Sequence, residues 1–365
     1  MLNPEQLERS NFDVTFESKG VQFIFTDIAL AHYMPPLDCV TVGHTDTTRD
    51  FMAHRTLEVM GEEGSLRSVD QTKETITRLE KTIESAVAQT AALSAAPSIE
   101  LRDIEHTLSI AADVCRGYVY FEPPYWESVV SRIAVDESAK ENVELVEGNK
   151  NVFRTHLEKV FFSPTSMLHV LLAKLGAQCN VSKEDLLWYR EQELVQLFEG
   201  KRVPQEEITA RKQAHFYYKS AEGLFFASGD KAATLGKKFD DRSEVTEILK
   251  GKVAHKKDGV VQGKVRKIER DFTNDAQMRA QMQAMEEGEV LVCVTTDPEL
   301  MEACRKAAAI VTDVGGMLSH TAIVSRELNI PCIVATQNAS KVLRNGDLVE
   351  VDTQMGEVRI LRRAA

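Results

Sequence analysis

The strand-like run Ala309-Ile310-Val311-Thr312-Asp313 leads into Val314-Gly315-Gly316-Met317-Leu318-Ser319-His320-Thr321-Ala322, a loop that ends on a histidine. Adjacent glycines let a backbone approach a ligand closely and adopt positive φ. A helix opening at Ser319 or His320 would point its unpaired N–H groups and the positive end of its dipole toward the same place, which suits an anion. That end disfavours a positively charged imidazole, so His320 keeps a lone pair for attack on phosphorus. Once phosphorylated, a side chain carries about −1.5 to −2 charges, which the helix end then stabilises. The same spacing also fits a histidine that only caps or packs a surface helix. The elements around it must decide.

Those elements fall into two textures. Near the start, Val14 and Phe16, then Val21, Phe23 and Phe25, alternate around Ser18-Lys19-Gly20 and predict a small hairpin. Ser68-Val69-Asp70-Gln71 fits a capping box, followed by Ile76, Leu79, Ile83 and Val87 at helical spacing as far as Ala95-Ala96-Pro97-Ser98. Two further helices are expected between about 101 and 175, interrupted by Pro123-Pro124. Ser182 is placed to cap a helix that carries Leu186, Leu187, Leu194 and Leu197 and ends near Gly200, and another runs from about Gln205 through Tyr218. The aromatic groups at 118–121, 216–218 and 225–226 read as core, with a pocket for an apolar substrate as the alternative; among them His215 is a candidate substrate-site residue.

From about residue 246 strands take over. They are expected at 260–268 (with a kink at Gly263), 289–294, 309–313 and 332–335, with a closing hairpin at 348–352 and 357–361. Asp297-Pro298 supplies an N-cap and a first-turn proline between two of them. The expected fold class is multidomain α+β, with a mainly helical region over 1–245 and a compact β/α domain over 246–365.

The 365 residues include 44 basic and 56 acidic side chains, a formal charge of −12, which argues against a general nucleic-acid or anionic-membrane binder. No uninterrupted apolar run approaches the roughly 18 residues of a membrane span, and Met1-Leu2-Asn3-Pro4-Glu5-Gln6 lacks a secretory pattern. Six scattered cysteines without a Cys-x-x-Cys pair read as buried free thiols of a reducing cytoplasm. The histidines outside the glycine loop show no metal-ligand spacing such as His-x-x-x-His, and no metal site is expected.

The segment from Ala309 to Thr336 strongly resembles the phosphohistidine swivelling domain of PEP-utilising enzymes, found in phosphoenolpyruvate synthase, pyruvate phosphate dikinase, rifampicin phosphotransferase and enzyme I of the sugar phosphotransferase system. The likeness extends upstream through Val290 to Pro298, with its Thr296-Asp297-Pro298 turn, and to Val260–Val265. It extends downstream through Gly346–Asp352 and Gly356–Val358. In that family the histidine accepts phosphate at one site and the domain swings to deliver it at another. The resemblance implies that His320 is the phosphorylated residue, in a loop made by Gly315 and Gly316, with Ser319 and Thr321 as neighbours of the phosphate. Arg326 matches the family's helix arginine, but six positions past His320 it points away. Leu318 stands where many members have threonine. Further forward, Asp185-Leu186-Leu187-Trp188-Tyr189, Phe198-Glu199-Gly200 and Ile208-Thr209-Ala210-Arg211-Lys212 resemble the helical segment that precedes the domain in the phosphoenolpyruvate synthase and rifampicin phosphotransferase group.

Relatives of that kind pair the domain with an ATP-grasp domain or a phosphoenolpyruvate-binding barrel, and this sequence has room for neither beside its helical front. The expectation is a subunit that binds no cofactor itself and is charged by a separate ATP-grasp-type subunit holding ATP and Mg, with a small-molecule acceptor bound by the helical front. Two alternatives stay open: a phosphate relay acting on a partner protein or on pyruvate/phosphoenolpyruvate, and a non-catalytic regulatory module that retains the fold.

Overall fold

The computed structural model of the chain describes residues 4–8, 11–19, 23–32, 38–44, 47–121, 136–239, 248–257, 259–269, 275–296, 298–316 and 319–364. Backbone contacts divide it into two compact units. The first comprises 1–6, 21–40 and 55–233; the second comprises 7–20, 41–54 and 234–365. The expected change of texture near 245–246, together with Asp297, Leu318 and Pro123-Pro124, lies outside the described residues.

The first unit is mainly helical. Its long helix, Val69–Ala95, starts as expected: the Ser68 hydroxyl accepts the Gln71 N–H, and the Gln71 side chain accepts the Ser68 N–H. Ile76, Leu79 and Ile83 are buried, but Val87 is 57% exposed. The buried stripe continues through Ala86 and Leu93 instead, because 3.6-residue periodicity has rotated position 87 off the inner face. Leu101–Tyr118 and Met167–Cys179 pack with it around Ile104, Ile110, Leu168, Leu171, Leu172 and Leu175. The stretch Thr155–Cys179 is apolar enough for a membrane span by length and composition, and its leucines supply this core.

Three sequence expectations for this region are corrected. The residues expected as the second hairpin strand form a helix, Phe23–His32, that buries Phe23, Ile24, Ile28 and Leu30. The strand Phe12–Lys19 instead pairs antiparallel with Thr47–Ala53 in the second unit, where the Phe12 and Phe51 rings meet Phe239. A short apolar run has no period that separates strand from helix, and packing decides. Ser182 caps a helix, but that helix stops at Leu186 and a second one, Glu191–Phe198, carries Leu194 and Leu197. The helix expected from Gln205 through Tyr218 ends at Gln213. Ala214 turns extended, and His215–Ser220 pairs as a strand with Gly223–Ser228, placing Tyr217 opposite Phe226 and Tyr218 opposite Phe225. Aromatic residues favour that half-buried pleated surface over the end of a polar helix.

The second unit is built on an eight-stranded sheet. Edge to edge its strands are Ile248–Lys250, Glu357–Arg362, Leu348–Asp352, Val261–Lys267, Val290–Cys293, Ala309–Thr312, Cys332–Val334 and Lys252–His255. The central four are mutually parallel and the outer pairs are antiparallel. Alternation sends Leu291, Cys293, Ile310 and Cys332 to one face, against Met278, Met282, Ala303, Cys304, Ala322 and Val324. It sends Val290, Val292, Ala309, Val311 and Ile333 to the other, against Ala339, Leu343, Val349 and Val351. Burial on both faces explains why these strands read as unbroken apolar runs. Gly263 lies opposite Val349 in Val261–Lys267, and a Cβ there would lie 2.9 Å from the Gly288 carbonyl oxygen and 3.0 Å from Val290 Cγ2.

Candidate active site

Parallel strands bring their C-terminal ends to one edge, which is where open α/β sheets place ligands. Three threonines gather there: Thr296 beyond Val290–Cys293, Thr312 at the end of Ala309–Thr312, and Thr336 beyond Cys332–Val334. Asp313, 1% exposed, ties two of these ends together. Its carboxylate accepts the Ser340 N–H at 2.9 Å, the Ser340 hydroxyl, and the Thr336 hydroxyl at 3.3 Å. Thr336 also donates to the Thr312 carbonyl at 3.0 Å, held between Ala335 and Gln337, both at positive φ. Backbone outliers of this kind persist only where the surroundings over-determine them.

The loop leaving Asp313 is anchored by Val314 N–H to the Val294 carbonyl and passes through Gly315 at φ +142°. A Cβ on Gly315 would sit 3.0 Å from Ser319 Oγ, so the close return of the chain needs glycine there. Ser319 is the N-cap of the helix His320–Glu327: its Oγ accepts the Ala322 N–H at 3.3 Å and donates to the Gly316 carbonyl at 2.9 Å. The helix therefore begins at His320. Gly315, Gly316, Ser319, His320 and Thr321 are brought together as one strand–loop–helix junction. Ser319 and Thr321 are nonetheless buried, at 7% and 0% exposure, and their hydroxyls serve the cap and an internal network.

That network reaches His320. Thr296 Oγ1 lies 2.9 Å from His320 Nδ1 and 2.9 Å from Thr321 Oγ1, and the Thr296 N–H donates to Thr321 Oγ1 at 3.3 Å. The chain of hydroxyls fixes the ring by one nitrogen and leaves two self-consistent proton orders, one for each neutral tautomer. If Nδ1 carries the proton, it donates to Thr296, Thr296 donates to Thr321, and Nε2 carries the lone pair. The sequence marks Thr296 as part of a turn but gives it no role; Asp313, Thr336 and Ser340 carry no sequence signal beyond their polarity. Arg326 Nε folds back onto the Ala322 carbonyl at 2.9 Å, on its own helix. The thiols of this unit, at Cys293, Cys304 and Cys332, lie inside it. Burial pushes the thiols of Cys304 and Cys332 up to about 12, so they stay protonated and unreactive at neutral pH.

In the first unit His215 is 4% exposed and enclosed by rings, edge-on to Phe23 at 5.2 Å and beside Trp188 at 6.0 Å. Its Nδ1 lies 3.3 Å from the Arg211 carbonyl. Arg211 organises the surrounding turn. It bonds Glu193 at 2.6 and 2.8 Å, Glu207 at 2.8 Å and the Trp188 carbonyl at 2.8 Å, while Lys212 pairs with Asp185 at 2.7 Å. Burial alone would weaken the Arg211 charge, but the bonds to Glu193 and Glu207 outweigh it and hold the guanidinium protonated. Asp185, Trp188, Arg211 and Lys212, far apart in sequence, thus form one contact set.

Residues 285–356 match the family model of the PEP-utilising enzyme mobile domain. This region is therefore a phosphohistidine mobile domain of the PEP-utilising phosphotransferase family, set behind a helical N-terminal half. The probable phosphoenolpyruvate synthase of Archaeoglobus fulgidus is 42% identical over 125 residues, covering 33% of this chain and 16% of that protein. The uncharacterized phosphotransferase YvkC of Bacillus subtilis is 31% identical over 207 residues, covering 53% of this chain and 24% of that protein. The latter match is longer than the mobile domain and extends beyond it. The chain spans between about a sixth and a quarter of the length of these two relatives. Among solved structures, aconitase X of Thermococcus kodakaraensis in its holo form aligns with 32% of this chain and 98% of its own, at 22% identity and a TM-score of 0.25. That likeness is too slight to carry an argument.

Proposed function

We propose that the chain is the phosphohistidine-carrying subunit of a phosphoenolpyruvate synthase-like phosphotransferase. His320 takes a phosphoryl group from a separate ATP-grasp-type subunit, which binds ATP and Mg, and passes it to a small-molecule acceptor held by the helical unit. The observation that carries the reading is the 2.9 Å contact between Thr296 Oγ1 and His320 Nδ1 at the start of a capped helix. With the proton on Nδ1, the Nε2 lone pair forms the N–P bond as the phosphorus–oxygen bond to the donor breaks, its electron pair leaving with the donor oxygen. The ring gains positive charge in this step, and the Thr296 oxygen accepts the Nδ1–H that carries it. The helix N-terminus offers its amide dipoles to the phosphoryl oxygens. In the second transfer an acceptor oxygen attacks phosphorus, the N–P electron pair returns to Nε2, and the acceptor's proton leaves to a base. The free, mostly buried cysteines fit a cytoplasmic setting.

The test is incubation with radiolabelled ATP and a candidate ATP-grasp partner, comparing wild type with His320→Ala. Acid-labile label on the wild type and none on the variant is expected. Equal label on both would remove His320 from the reaction.

A further inference from the structure

The first unit contains a cavity of about 490 Å³, within the range of small-molecule sites, whose lining includes Asp27, His32, Arg190, Glu191, Lys219 and Leu224. Its anions are already engaged. Asp27, 1% exposed, accepts Arg190 Nε at 2.9 Å and the Tyr217 hydroxyl at 3.0 Å through one oxygen, and the Glu191 N–H at 2.8 Å through the other. Glu191 Oε2 lies 2.8 Å from His32 Nε2, and Arg116 Nη1 stands 3.2 Å from His32 Nδ1.

The cations are not used up. Arg190 spends only Nε on Asp27, and its two terminal nitrogens make no hydrogen bond among the described residues. Lys219, on the neighbouring strand, makes no ion pair among the described residues. The lining therefore offers a surplus of charged donors, in which the planar guanidinium fork matches a carboxylate or phosphate. Two carboxylates already stand among these residues, so one added negative charge is better tolerated than two. Leu224 supplies an apolar wall.

We propose that this cavity is the acceptor site and that the acceptor is a small hydroxy acid, its carboxylate held by Arg190 and Lys219 and its hydroxyl left to receive the phosphoryl group. The role as acceptor site rests on the phosphotransferase reading; the binding of the acid does not. Titration calorimetry of the full chain with mandelate, and with mandelamide as its uncharged counterpart, tests it. Mandelate should bind at least about tenfold more tightly than the amide, as expected for hydrogen bonds to charged groups. Lys219→Gln, a partly exposed position outside the buried core, should weaken mandelate about threefold or more. Arg190→Lys, which keeps the charge beside Asp27 but loses the fork, should weaken it about tenfold. Equal binding of acid and amide, tighter binding of inorganic phosphate than of mandelate, or an unaltered affinity in Lys219→Gln would overturn the proposal. Because the readout is binding, a failure here leaves His320 labelling untouched, and a failure of labelling leaves this result standing.

Discussion

Replacing Thr296 by valine removes one hydroxyl and almost no volume. The hydroxyl makes two contacts of 2.9 Å, to His320 Nδ1 and to Thr321 Oγ1, while the Thr296 N–H keeps its own bond to Thr321. Each neutral hydrogen bond is worth about 0.5–1.5 kcal/mol net, so the variant should lose about 1–2 kcal/mol of stability. The functional cost is separate. Losing about 1–1.4 kcal/mol of preference for the Nδ1–H tautomer and its ring orientation corresponds to about a five- to tenfold slower attack by Nε2. Phosphoramidate, as a small phosphoryl donor, measures this on the isolated chain. Phosphorus NMR separates the Nε2 and Nδ1 phosphohistidine isomers, and denaturant titration gives the stability. Thr296→Val should slow labelling by that factor and admit some Nδ1 product, and Thr296→Ser should restore both. If Thr296→Val is labelled at the wild-type rate, on Nε2 alone, Thr296 does not position the ring and the proton order assigned to the network is wrong.

Three further outcomes follow from the packing. Gly315→Ala must place a Cβ 3.0 Å from Ser319 Oγ at φ +142°, so it should cost about 1–3 kcal/mol and slow His320 labelling by displacing the cap; an unchanged midpoint in urea would contradict the close approach. Arg211→Ala leaves Glu193, Glu207 and the Trp188 carbonyl without their shared donor and should destabilise the chain by about 3–5 kcal/mol, seen as a lowered unfolding midpoint. Asp347 has a fully buried side chain; burial alone would raise its carboxyl, but the Ala364 and Arg344 N–H groups and Arg363 hold it below the usual 3.8. Its contribution is therefore complete above pH 3.8 and lost as pH falls through the depressed value, so the stability gap between wild type and Asp347→Asn should be flat from pH 7 to 5 and close in more acid solution.

What could be read from the sequence was the local chemistry. Ser68 and Gln71 announce a helix start because both partners of the box lie within one turn, and Ser319 announces another by the same rule. The strands Val290–Cys293, Ala309–Thr312 and Cys332–Val334 were visible because burial on both faces demands unbroken apolar runs. Phe23 and His215 were misplaced for the opposite reason: each opens a short apolar or aromatic run, and only its packing partners choose between helix and strand. The contact of Thr296 with His320 spans 24 positions and exists because Val290–Cys293 and Ala309–Thr312 are parallel neighbours, in a register no local pattern encodes. Ligands gather beyond the carboxyl ends of parallel strands, here just past Val290–Cys293, Ala309–Thr312 and Cys332–Val334. Thr296, Asp313 and Thr336 all lie there, and all three carry hydrogen bonds at this edge of the sheet. The positioning of the histidine is thus set by strand order, and the glycine loop supplies the close return of the chain to the cap at Ser319.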